Sequence, residues 1–102
     1  MAKKIVELSS KKKVELAMMS IDDIDICNDM AHLRNDENGQ AYFSGISKSR
    51  TAWLRRGISG GDFKNFKKDI NGLVADSVLR QLSDDEKNEL VPKIREYQDM
   101  GE

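Results

Sequence analysis

Lys13-Val14-Glu15-Leu16-Ala17-Met18-Met19-Ser20-Ile21-Asp22-Asp23-Ile24 passes from an alternating, strand-like segment straight into the start of a helix. Val14 and Leu16 fall two apart, the spacing that puts both side chains on one face of a strand. Ser20 then offers a hydroxyl to the free amides of a first helical turn, and Asp22 and Asp23 place negative charge at the positive end of the helix dipole. Upstream, Ile5-Val6-Glu7-Leu8 alternates in the same weak manner, with the polar Ser9-Ser10-Lys11-Lys12 between. The natural expectation is a short β-hairpin over residues 1–19, although the turn lacks the Asn-Gly or Asp-Gly pair that marks the tightest hairpins. A frayed N-terminal arm is the alternative.

Working downstream, Ile21, Ile24, Cys27, Met30 and Ala31 recur at three- and four-residue steps, with Asp22, Asp25 and Asp29 on the other side. This predicts a first helix with one apolar stripe, ending near Leu33. Asn35-Asp36-Glu37-Asn38-Gly39 is a loop by composition. A second helix from about Ser44 or Ser47 would turn Ile46, Trp53 and Leu54 inward and Arg50, Arg55 and Arg56 largely outward, closing on a left-handed Gly57. Gly60-Gly61 suggest a flexible joint. A third helix over roughly residues 62–82, with a break near Gly72, would bury Phe63, Phe66, Ile70, Leu73, Val74, Val78 and Leu82. Ser83-Asp84-Asp85-Glu86 is a capping box that starts a fourth helix facing inward with Leu90, Val91, Ile94 and Tyr97, kinked or restarted at Pro92. Gly101 would end the order. The expected fold is an α-rich α+β domain of residues 1–102: a hairpin, then about four helices over residues 20–99 packed as a small bundle.

A chain of 102 residues can bury one modest core. Seventeen basic and eighteen acidic residues leave a net charge of -1, which argues against a surface built wholly for nucleic acid. Cys27 is the single cysteine, so no intramolecular disulfide can form, and a reducing compartment is expected. Lys3-Lys4 is followed by no apolar signal core, and no apolar run approaches the roughly 20 residues of a membrane span. A cytoplasmic location follows as the expectation, in the host cell if the protein is viral.

The chain carries little recognisable chemistry. His32 is the sole histidine and reads as a partly exposed helix-end residue, with no serine or cysteine nucleophile beside it. Cys27, on the apolar stripe, reads as a small core residue. Asp22, Asp25 and Asp29 share a helix face but lack the alternating ligands and closing glutamate of a calcium loop, and Asp36-Glu37-Asn38-Gly39 fails that pattern too. Gly57-Ile58-Ser59-Gly60-Gly61 has neither the ending of a phosphate loop nor a dinucleotide fingerprint. No catalytic, cofactor or metal residue is assigned, and the chain reads as a non-enzyme. Arg50, Arg55 and Arg56 around Trp53, with Lys64, Lys67 and Lys68 beyond, form a candidate nucleic-acid face, although Trp53 fits better as core. With acidic helix one opposite, they leave a polarised molecule suited to a charged protein partner or to self-association.

Val14-Glu15-Leu16 followed by Ser20-Ile21-Asp22-Asp23, and Leu82-Ser83-x-x-Glu86 with Ile94-Arg95-Glu96-Tyr97-Gln98, resemble the small tail assembly chaperones of long-tailed bacteriophages. The likeness touches about half the chain, at its two ends. It implies a non-catalytic protein that coats the helical tape measure protein until tail subunits replace it, self-associating weakly along the tape. Met18, Met19, Asp22, Asp25 and Asp29 are then the candidate partner-binding residues, methionine being an adaptable contact. Two other readings stay open: a small regulator binding nucleic acid through the basic face, and an inhibitor whose acidic helix mimics phosphates toward a host defence protein.

Overall fold

The N-terminal alternation does fold as a hairpin. In the computed structural model, which describes residues 4–100 (of His32, Leu33, Phe43 and Met100 the backbone alone), strand β1 (Lys4–Glu7) pairs antiparallel with β2 (Lys13–Leu16). Lys11 takes the left-handed conformation, with φ 76, that a glycine would adopt more cheaply. Distant groups hold this turn. The Ser9 backbone N–H and hydroxyl donate to the Glu89 carboxylate, and the Ser10 hydroxyl donates to Glu86 Oε2 at 2.6 Å.

Helix α1 (Ile21–Met30) starts where the sequence places it, the Asp23 N–H donating to Ser20 Oγ at 3.1 Å. It ends three residues before Leu33. Cys27 is fully buried on the stripe and Ile24 and Met30 are half-buried, whereas Ile21, expected inside, is 77% exposed in the opening turn.

The next segment departs from expectation. His32–Asn35 forms β3, which pairs antiparallel with β4 (Ala41–Ser44) in a separate two-stranded sheet. Asp36 organises the turn: its Oδ1 accepts from the N–H groups of Asn38 and Gln40, and Gly39 supplies φ 78. His32 therefore lies in a strand and not at a helix end, and its side chain falls outside the described residues. Gly101 falls outside them as well.

Helix α2 (Ile46–Gly57) buries Ala52, Trp53 and Leu54, as read, but leaves Ile46 59% exposed. Gly45 caps it because the Met30 carbonyl occupies the space of a side chain there. Gly57 is not the left-handed closing residue. It is helical, and a Cβ on it would collide with the branched side chain of Ile94. The chain then runs directly into β5 (Ile58–Gly61), which pairs with β2 and completes the three-stranded sheet β1-β2-β5; the supposed flexible joint is a strand.

No long third helix forms. Residues 62–75 are irregular, shaped by Asn65 and Gly72 at positive φ and by Asp69 Oδ1, which accepts from the Asn71 and Leu73 N–H groups. Only Asp76–Leu79 is helical (α3), and Ile70 stands 99% exposed at the loop tip. The capping box forms in both directions, Glu86 N–H to Ser83 Oγ at 3.1 Å and Ser83 N–H to Glu86 Oε1 at 2.8 Å. Helix α4 (Asp84–Met100) continues unbroken through Pro92, anchored by buried Leu90, Ile94 and Tyr97. One cluster of buried side chains joins hairpin, α2 and α4, including Leu8, Val14, Leu16, Trp53, Leu54 and Ile94. The molecule is thus a small α+β domain, with α2 packed against both α1 and α4. Among the described residues no helix is long and apolar enough to cross a membrane.

Two outcomes follow. Ordinarily Gly→Ala inside a helix gains about 1 kcal/mol; Gly57→Ala should instead cost about 1–3 kcal/mol by overpacking, and cost much less in an Ile94→Ala background. Denaturant titrations of the four chains measure that coupling. The second concerns acid. The Ser10 hydroxyl, then the Ser83 N–H, with the Lys12 charge adding, hold the Glu86 carboxyl below its ordinary 4.5. Its stabilisation is therefore complete above that value and is lost as pH falls through and below it. Glu86→Gln should flatten the fall in urea midpoint over that acid range; an unchanged slope would count against the role.

Candidate functional site

An open trough runs along one side of α2. Its wider part, with a cavity volume of about 1110 Å³, lies between the end of α1, the β3–β4 hairpin and the start of α2, where Ile26, Met30, Tyr42 and Ile46 supply apolar wall. A narrower part of about 430 Å³ continues past Thr51 and Ala52 to Leu73 and the Arg55 and Arg56 stems. Met30, Ser47 and Lys48 line both, so the two are one continuous surface. From Ile46 to Arg56, at about 1.5 Å per residue, it extends for roughly 15 Å.

Three segments distant in sequence build it. Ile26, 40% exposed, comes from the solvent side of α1; Tyr42, 47% exposed, from β4; and Ile46 from the first turn of α2. Gly45 lets α2 approach the Met30 carbonyl, and the Ser49 hydroxyl donates to the Cys27 carbonyl at 3.0 Å, fixing the floor. Across the hairpin, Arg34 Nε donates to Ser44 Oγ at 2.8 Å.

The candidate residues distribute unevenly over this surface. Asp29 lines the trough; Asp22 and Asp25 are exposed on α1 but do not line it. Met18 is 44% exposed. Met19 is buried at 8% exposure, its backbone N–H donating to Gln98 Oε1 at 2.7 Å, while Gln98 Nε2 donates to the Ala17 carbonyl. The Met19 side chain is therefore part of the buried core and offers a partner little surface.

The arginines of the proposed nucleic-acid face are tied down. Arg50 reaches Asp84 and Asn88, Arg55 pairs with Asp76 and the Val74 carbonyl, and Arg56 lies 3.3 Å from Asp23. The Arg55 hydrogen bond and charge hold the Asp76 carboxyl below the usual range. Trp53 is 4% exposed with the Arg95 guanidinium over its ring, so no face is free for stacking a base. Lys64, Lys67 and Lys68 are exposed on the irregular loop rather than on a helix. Among the described residues no three His, Cys, Asp or Glu side chains are placed to hold a metal ion.

The sequence reading missed Tyr42, Ile46 and Arg34. The turn chemistry of Asp36 to Gly39 before the strand-prone Ala41-Tyr42 was the available signal for the hairpin that carries two of them.

Cys27 sits beneath the trough, and burial pushes its thiol up to about 11 against the opposing pull of the Arg56 charge. Two units above its ordinary value leave about a hundredfold less thiolate near neutral pH. Alkylation by iodoacetamide should be slower than in the urea-unfolded chain by at least that factor; equal rates would place the thiol at the surface.

No family model matches the chain, and neither a curated protein nor a solved structure matches it.

Proposed function

We propose that this protein works without catalysis, by holding an amphipathic helix of a protein partner in the trough along α2. The observation that carries the reading is the β3–β4 hairpin. Its two strands form a sheet of their own with Tyr42 47% exposed, and a two-stranded hairpin is marginal in water without a packed face. An apolar helix laid between Tyr42, Ile26 and Ile46 would give it that face, the helix-in-groove mode of recognition.

The reading agrees with what the resemblance to tail assembly chaperones implies, a long helical client bound reversibly along its length. The tape measure protein of such a phage is accordingly the partner proposed. The contact surface proposed moves from the Met18-Met19 edge to the trough, because the Met19 side chain is buried in the core.

Co-expression with a tagged tape measure protein, followed by affinity purification, tests the reading. The wild-type chain should co-purify, and Tyr42→Asp or Ile46→Asp should lose the complex while melting within a few degrees of wild type, since both side chains are exposed. Retention of the complex by both variants, or no complex with the wild type, would reject it.

A further inference from the structure

Resting on that reading, we infer that the trough selects acidic amphipathic helices, with Arg34 of β3 as a carboxylate clamp and Lys48 of α2 as a second cation in the same lining. The lining holds the cations Arg34, Lys48, Arg55 and Arg56 against one carboxylate, Asp29. Arg55 and Arg56 are answered by Asp76 and Asp23. Arg34 and Lys48 are both exposed, and neither has an ion-pair partner among the described residues.

Arg34 is also oriented. Its Nε donates across the hairpin to the Ser44 hydroxyl, and no described residue takes a hydrogen bond from its two terminal nitrogens. A guanidinium fixed through Nε keeps those nitrogens for bidentate binding of a carboxylate, a geometry that a lysine cannot copy. Lys48, in the first turn of α2, also lines the wide part of the trough and adds an ammonium whose geometry is less demanding. The trough length of about 15 Å matches three turns of helix. A fitting partner segment therefore carries apolar side chains at three- and four-residue steps to meet Ile26, Tyr42, Ile46 and Leu73, and Asp or Glu on the flanks beside Arg34 and Lys48.

The exposed lysines of the irregular loop provide the rival explanation for any preference for acid. Lys64, Lys67 and Lys68 do not line the trough, so the two sources separate by mutation.

The probes are two blocked synthetic helices of about 14 residues, with the same leucine face and either glutamate or lysine on the other positions. Both are titrated against the full chain by fluorescence anisotropy. The wild type should bind the glutamate helix at least tenfold more tightly than the lysine helix. The Arg34→Glu/Lys48→Glu double variant should reverse that order, and Ser44→Ala should weaken the glutamate helix several-fold while leaving the lysine helix unchanged. Lys64→Glu/Lys67→Glu/Lys68→Glu should keep the wild-type order.

Equal binding of the two helices by the wild type would overturn the charge preference and leave the trough reading standing. An order unmoved by the Arg34/Lys48 reversal, or moved by the loop-lysine reversal, would overturn it likewise. Binding of neither helix would reject the trough itself.

Discussion

The close approach of α2 to α4 at Gly57 and Ile94 is the constraint on which the other contacts depend. Without a side chain at Gly57, the last turn of α2 settles onto Ile94, and the chain can leave the helix directly as β5. The Gly57 carbonyl accepts from the Ala17 N–H, so the same residue also ties the strand-to-helix junction to the end of α2. Two residues earlier the Arg55 carbonyl accepts from the Val74 N–H, which closes the irregular loop over α2. Sheet, junction and loop thus take their positions from a single helix end. A methyl group there would act on all of them at once, because packed interiors yield little to added volume.

Local chemistry was readable wherever it was sufficient by itself. Ser20 and the Ser83–Glu86 box cap their helices as their spacing requires, and Leu90, Ile94 and Tyr97 form the buried face of α4. The reading failed where tertiary contacts or turn residues overrode periodicity. Phe63, Phe66, Ile70, Leu73 and Val74 can be arranged on a helical face. The Asp69 side chain, however, captures two backbone N–H groups that a helix would need, and Gly72 turns the chain away. Gly57 resembled a helix-closing glycine, but its reason was a neighbour 37 positions away, which no window of sequence contains. Pro92 removes one hydrogen bond from α4, and the buried residues on either side of it hold the helix through the gap.

The site was legible only in part, for the same reason. Asp29 was identified from its helix face, and the apolar character of Met30 from its stripe. Arg34, Tyr42 and Ile46 become neighbours only once the hairpin has folded back between α1 and α2. The cations that looked free in the sequence find carboxylates at Asp23, Asp76 and Asp84, all supplied by other elements. Counting charges along a chain overstates how many remain for a partner, and the surplus here reduces to a few positions.

Trp53 gives this architecture an optical consequence. It is the chain's single tryptophan, enclosed on the α4 side of α2 beneath Arg95, while the trough opens along another side of the same helix. Its emission therefore follows the separation of α2 from α4 and shifts to the red when water reaches the indole. Rearrangement of the β3–β4 hairpin, which carries no tryptophan, leaves that emission almost unaltered. A fluorescence melt records the survival of the core and is silent about the trough wall, so the two events are separable in one sample only by adding a probe on the hairpin.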